Sequence, residues 1–380
     1  MQTDVVRLTS GFIAQPTSSE LSNVPFARHV AGLLDELQFQ VEEVEHQHPD
    51  GVDKLSIVAR RGRGPGGLTL ICHSDTVPAA REDGWTTDPY AGTMRGERLH
   101  GRGACDMKGA LAAVLCAAAR WTGTELARPL CILVTADEET QARGARQVVS
   151  RSRLFAPAAR GYGVICEPTR LRVVHAHKGA LTMKITARGR AAHTSTLKGI
   201  NANIKMIPFL NDMKSMYERV LTEECYRNED FDPPHSEWSL GISDHNPATN
   251  MSPARSICSI NYRTMPGVDA DGLIQATRAS ARRHGLRLQL VFAGEPLYTA
   301  PDSALVRMAL QITSTRKPRT VAYGTDGLAL SRKMKEMIVV GPGDIAQAHT
   351  VDEWIDLDQL RRSVDVYSDF IERVCVRNQD

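Results

Sequence analysis

Several familiar signatures are missing from this sequence, and each absence removes a class of protein. Its eight Cys show no C-x-x-C spacing. In a chain of 380 residues they read as reduced thiols in a core or near a site, not as a disulfide framework. No apolar run approaches the roughly 20 residues of a membrane span, so no membrane partner is expected. The opening Met1-Gln2-Thr3-Asp4-Val5-Val6-Arg7 lacks the charged-then-apolar layout of a secretory signal, which makes the cytoplasm the expected compartment. With 46 basic against 44 acidic side chains, net charge +2, there is no basic excess of the kind a nucleic-acid binder shows. Internal repeats and low-complexity tracts are absent too.

What remains is an ordinary soluble composition, 42% hydrophobic and 24% charged, spread over more chain than one core usually organises. Two domains are therefore expected. The most informative stretch is Leu70-Ile71-Cys72-His73-Ser74-Asp75-Thr76-Val77-Pro78. The apolar run from Leu68 reads as a buried strand that Pro78 stops. Residues two apart on an extended segment share a side, so His73 and Asp75 leave the strand together. Open α/β sheets place their chemistry at such C-terminal ends.

The pattern recurs. Leu130 to Ala136 is apolar and ends in Asp137-Glu138-Glu139, and Gly163 to Cys166 ends in Glu167-Pro168. Consecutive acids at the end of a buried strand are costly unless water, partners or a cation compensate them. Between these strands, Gly101-Arg102-Gly103-Ala104-Cys105-Asp106-Met107-Lys108-Gly109 leads into an alanine-rich helix from Ala110 to Trp121. Asp106 reads either as the cap of that helix or as a metal carboxylate.

Helical spacing also marks Val5 to Phe12 and Phe26 to Leu37. Gln40 to Val44 and Leu55 to Ala59 read as strands, and Arg81 to Thr93 as a loop carrying Trp85 and Tyr90. From Gly179 the grammar changes to strand, helix, two strands, helix and strand, ending at Phe292. It returns to helix and strand after Pro296. An α/β fold follows: a doubly wound catalytic domain over 1–178 and 295–380, with a β-α-β-β-α-β, ferredoxin-like lid inserted over 179–294.

Gathered at strand ends are His73, Asp75, Asp106, Glu138, Glu139 and Glu167, with His349 from a Gly/Pro-rich loop. Two His and several carboxylates suit Zn²⁺ or a similar divalent ion. They exceed one tetrahedral site, and two ions sharing a carboxylate would use them better.

In combination these motifs resemble the acetylornithine deacetylase and succinyl-diaminopimelate desuccinylase family, which includes aminoacylases and carboxypeptidases with co-catalytic zinc. The resemblance covers nearly the whole chain and implies a zinc-peptidase-like catalytic domain whose lid is also a dimerisation domain. It implies that Asp106 bridges two ions, most simply Zn²⁺ with Co²⁺ as an alternative. His73 and Glu167 would complete one site, and Glu139 and His349 the other. Asp75 would orient His73, Glu138 would be the general base, and a cis peptide would follow Asp106. His193, in Ala192-His193-Thr194-Ser195, would polarise the substrate carbonyl, reaching the active site of the partner in a homodimer. Arg263 would clamp the substrate α-carboxylate, assisted by Asn250 and the Gly324-Thr325 turn.

The activity implied is metal-dependent hydrolysis of an N-acyl amino acid, with N²-acetylornithine the first substrate to try. Desuccinylase and dipeptidase or carboxypeptidase activities are the enzymatic alternatives. A dimeric small-molecule binding protein on the same scaffold is the non-enzymatic one. Lys178 stands where desuccinylases of this family tend to carry an Arg for a second substrate carboxylate. Asp326 stands where deacetylases often have Glu.

Overall fold

A computed structural model describes residues 4–246 and 248–377. In chain order the elements begin with helices α1 (Val5–Ile13) and α2 (Val24–Glu36) and strands β1 (Gln40–Gln47), β2 (Asp53–Arg61) and β3 (Leu68–His73). Next come β4 (Thr93–Arg95), β5 (Arg98–His100), α3 (Lys108–Ala119), β6 (Leu130–Thr135), α4 (Arg143–Arg151), α5 (Phe155–Ala158), β7 (Tyr162–Ile165) and β8 (Val174–His177). The middle of the chain holds β9 (Ala180–Arg188), α6 (Ala202–Thr222), β10 (Trp238–Ser243), β11 (Arg255–Tyr262), α7 (Ala270–Arg283) and β12 (Arg287–Gly294). It closes with β13 (Leu297–Tyr298), α8 (Ala304–Ile312), β14 (Arg319–Val321), α9 (Gly327–Leu330), β15 (Glu336–Val339), β16 (Trp354–Asp356) and α10 (Leu357–Ile371).

The chain separates into two compact units. The first holds the described residues through Ala176, Leu297–Arg319, and the chain from Thr325 on. The second holds His177–Pro296 with Thr320–Gly324.

The first unit is built on a mixed sheet ordered β1-β2-β6-β3-β7-β15-β8-β13. At its centre β3 runs parallel to both β6 and β7, and β15 runs parallel to β7. Parallel neighbours end at one edge, so the residues after His73, Thr135 and Ile165 emerge side by side. Along β3, Leu68, Leu70 and Cys72 join a core shared with α1, α3 and α10. The alternate residues Thr69 and Ile71 face the other side, as the twofold strand repeat requires. Helix α3 is buried from Lys108 to Ala118. Its alanines let α1 and α10 pack closely on it. Asp356 caps α10 by accepting hydrogen bonds from the backbone N–H of Asp358 and Gln359. A small antiparallel sheet, β16-β5-β4, lies apart from the large one. The sequence pattern gave no warning of it, because its strands are three residues long and interrupted by turns.

The second unit is a four-stranded antiparallel sheet ordered β10-β11-β9-β12, with α6 and α7 contributing to its core. Its chain order, β9-α6-β10-β11-α7-β12, is a β-α-β-β-α-β series. In β9 the buried Leu181, Met183, Ile185 and Ala187 alternate with the more accessible Thr182, Lys184, Thr186 and Arg188.

Because α3 is enclosed, its core has no room for a larger side chain. Ala113→Leu should cost about 1–3 kcal/mol through overpacking, read as a lower urea midpoint with unchanged far-UV circular dichroism.

Candidate metal centre

The expected acids and histidines of the first unit converge. His73 leaves β3 with its Nδ1 donating to the Asp75 backbone carbonyl at 2.8 Å. That bond leaves Nε2 facing inward, 2.9 Å from Asp106 Oδ1 and 3.5 Å from Glu167 Oε1. His349, on an exposed loop in a left-handed conformation (φ 60°), brings its Nε2 to 3.4 Å from Asp106 Oδ2 and 3.0 Å from Glu139 Oε2. Each oxygen of Asp106 thus faces its own His–Glu pair. Asp106 does not cap α3: the residue in that position is Met107, and the peptide joining them is cis.

Ligand-capable atoms of His73, Glu138 and Glu167 lie within 4.8 Å of one another, as do those of His73, Asp106 and Glu139. A tetrahedral ion with bonds of about 2.0–2.1 Å has ligand edges of about 3.3–3.4 Å. The 2.9–3.5 Å separations in the two His-centred groups bracket that figure. The residues therefore fit a pair of divalent ions in spacing and in donor chemistry.

Electrostatics point the same way. Burial pushes Glu138 and Glu167 well above the usual carboxylate range, and neighbouring acids add to the effect. Glu139 is raised by burial as well. For Asp106, burial is overcome by hydrogen bonds from His349 and His73, which hold it below the ordinary range. Hydrogen bonds to Asp106 and Glu139 push His349 up to about 10. His73 and His349 contact these carboxylates but are outnumbered by them, and divalent cations would offset the remaining negative charge.

Four supporting acids were placed differently from expectation or missed. The Asp75 carboxylate lies 3.8 Å from His73 Nδ1 and instead accepts the backbone N–H of Glu138 at 3.1 Å and of Glu139 at 3.2 Å. Its backbone carbonyl, not its carboxylate, orients the imidazole. Asp137 turns away from its neighbours: it is fully enclosed, 3.2 Å from both Lys54 Nζ and His46 Nε2. Glu353, four residues beyond His349, accepts hydrogen bonds from the backbone N–H of Gly103, Cys105 and Asp106. Asp326 is also buried beside the centre, receives the Thr135 hydroxyl at 2.5 Å, and is pushed up to about 7 by burial.

The remaining expected residues lie elsewhere. In the second unit His193 bonds Ser195 Oγ through Nδ1 at 2.7 Å, and the Asn250 carbonyl accepts the N–H of the adjacent Thr194 at 2.9 Å. Arg263, half-buried, lines a cavity of about 410 Å³ with Tyr217, Trp238 and Asn261. Gly324 closes the second unit and Thr325 reopens the first, where its hydroxyl receives the N–H of Gly327.

Comparison with known proteins agrees with this geometry. Residues 69–373 match the model of peptidase family M20/M25/M40. The chain belongs to that family. Among its relatives are acetylornithine deacetylases of Photorhabdus laumondii, 32% identical over 97% of this chain and 95% of that protein, and of Myxococcus xanthus, 30% identical over 96% and 95%. The fold is shared with an M20 metallo-carboxypeptidase of Sulfolobus solfataricus, with TM-score 0.76, 16% identity, and 98% and 99% of the two chains covered. A dinuclear metal-binding M20 peptidase of Bacillus subtilis has the same fold, with TM-score 0.64, 14% identity, and 97% and 96% covered. Family membership and the carboxylate–histidine centre make this protein a metal-dependent hydrolase of amide bonds.

The raised pKa of His349 sets a pH dependence for the metal-free protein. Its folded value of about 10 exceeds the ordinary His value of 6.5. The stabilisation is therefore complete below about pH 6.5 and is lost as pH rises through about 10. Chelator-treated protein should lose melting temperature over that window, relative to a His349→Asn variant measured in parallel. Equal slopes would show that His349 is not held as a cation.

Proposed function

We propose that this enzyme removes the acyl group from an N-acyl α-amino acid, with N²-acetylornithine as the first candidate, using two zinc ions. The observation that carries the reading is Asp106, each of whose oxygens faces a separate His–Glu pair. The substrate is suggested by relatives named acetylornithine deacetylase, which are 30–32% identical over nearly the full length. In this reading His73, Asp106 and Glu167 would hold one ion, and His349, Asp106 and Glu139 the other. Zinc suits a mixed imidazole and carboxylate set.

Bound there, the ions act as Lewis acids that lower the pKa of water and polarise the scissile carbonyl. Glu138 takes a proton from the attacking water as the C–O bond forms, then delivers it to the departing amine as the C–N bond breaks. Its position is fixed by Asp75, which grips its backbone N–H. His193 donates to the oxygen that gains charge in the transition state, and Arg263 pairs with the α-carboxylate. Asn250, Gly324 and Thr325 are the further candidates for substrate contact.

A deacetylase is favoured over a desuccinylase by Lys178. That side chain is fully enclosed, and its ammonium donates to the carbonyls of Pro233 and His235 at 2.8 Å each. It is committed to the backbone and does not offer a counter-charge for a second substrate carboxylate.

The protein acts as a homodimer assembled through the second unit. In support, Ile204 and Ile207 of α6 and Leu240 and Ile242 of β10 are exposed, and β10 is an edge strand with unpaired backbone groups. Eight free thiols suit the cytoplasm. Among the described residues no helix is long and apolar enough to cross a membrane.

Glu138→Ala should retain both ions and lose at least about a hundredfold in turnover, measured with metal analysis alongside kinetics. A panel of acetyl-ornithine, succinyl-diaminopimelate, acyl-amino acids and dipeptides ranks the substrates. Preference for the succinyl compound would overturn the deacetylase reading. Ile242→Lys should convert the dimer to a monomer in sedimentation with metal content intact. His193→Ala should depress turnover, again without loss of metal.

A further inference from the structure

We propose that Glu353 is a positioning residue for the metal centre, fixing through backbone amides the loop that aims Asp106 at both halves of the site. The inference rests on reading Asp106 as a ligand shared by two ions.

Glu353 is 1% exposed. Its Oε1 accepts the N–H of Cys105 at 2.8 Å and of Asp106 at 3.0 Å. Its Oε2 accepts the N–H of Gly103 at 3.1 Å and Arg102 Nη1 at 2.8 Å. Its own carbonyl receives the N–H of Gly101 at 2.9 Å. Every one of these donors belongs to the irregular segment 101–106, which has no helix or strand to hold it. A carboxylate that satisfies four donors at once is the device that replaces a regular hydrogen-bond ladder here.

The contacts also tie together segments distant in the chain. Glu353 lies four residues beyond His349 and immediately precedes β16, whose Trp354 pairs with His100 at the entrance to the Asp106 loop. Arg102 lies over the Trp85 ring at 5.1 Å, and its Nη2 reaches toward the Pro78 carbonyl at 3.5 Å. Pro78 ends the stretch that carries His73 and Asp75. One side chain is thereby linked to the backbones bearing His73, Asp106 and His349. Asp106 must present both oxygens in fixed directions, so slack in its loop weakens both halves of the centre together. Loss of a partner that orients a ligand typically costs 10–100-fold in metal affinity.

A carboxylate that only stabilised the fold through its buried pair with Arg102 would behave differently. The test compares wild type, Glu353→Gln and Glu353→Asp after chelation. Each is titrated with Co²⁺ while its visible absorption is followed, with Zn²⁺ calorimetry and urea unfolding of the metal-free forms in parallel. Glu353→Gln sets an NH₂ group against amide donors, so both Co²⁺ steps should weaken about 10–100-fold and the absorption band should change shape. Glu353→Asp, which keeps the charge, should fall between. In kinetics, kcat should drop with KM little changed. Unaltered Co²⁺ affinity and spectrum with only a lower urea midpoint would overturn the proposal. So would failure of both variants to fold, since the carboxylate would then serve the fold as a whole. The shared-ligand reading is checked apart from this by Asp106→Asn: if both Co²⁺ steps survive that change, Asp106 is not the bridge, whatever Glu353 does.

Discussion

One carboxylate pulled in two directions governs this centre. Asp106 holds His73 through one oxygen and His349 through the other, and Glu167, Glu139 and Glu138 crowd the same space. Packing that many acids into a buried site costs several kcal/mol per uncompensated charge. The two histidines relieve part of it by taking up protons, as the raised values of His73 and His349 reflect. A pair of divalent cations relieves far more, and frees the imidazoles to coordinate as neutral bases. The arrangement that is poor for a metal-free protein is the one that binds metal well.

Around that centre a second set of acids is engaged by backbone amides or by buried side-chain cations. Asp75 grips the amides of Glu138 and Glu139. Glu353 grips those of Cys105 and Asp106. Asp137 is held by Lys54 and His46, which turns the chain so that its two neighbours enter the cleft. Asp75 and Glu353 share one logic. A ligand placed at the end of a strand inherits the strand's direction but not the loop's, and a buried carboxylate accepting backbone N–H groups supplies the missing restraint. The histidine side of the centre uses the complementary device, a carbonyl that fixes the His73 tautomer.

The strand-end acids and histidine were legible because their signal is local. An apolar run followed by His73, by Glu138 and Glu139, or by Glu167 announces both the strand and the rim where it ends, and the parallel pairing of β3, β6 and β7 brings those rims together. The β-α-β-β-α-β series of the middle unit was legible for the same reason: long strands and long amphipathic helices carry their period with them. Glu353 was not legible. It follows an exposed loop, sits beside Asp352, and acts only across some 250 residues on a segment with no period of its own. Asp137 was misleading rather than silent. Composition places it with Glu138 and Glu139, yet its left-handed backbone, φ 56°, sends its side chain elsewhere. Backbone handedness at a single non-glycine residue leaves no mark in sequence.

The same distinction bears on specificity. Lys178 looks, by position, like a cation waiting for substrate. In the structure its ammonium donates to two carbonyls of a turn that contains the cis bond before Pro233. Withdrawing the ammonium toward a substrate would break both bonds and leave two partly buried carbonyls without their donor. Arg263 keeps its guanidinium on a cavity wall. If Arg263 pairs with the substrate α-carboxylate, as proposed, a second substrate carboxylate would find no counter-charge at Lys178. On the proposed reading, charge count at these two residues is what would separate a substrate with one carboxylate from a substrate with two.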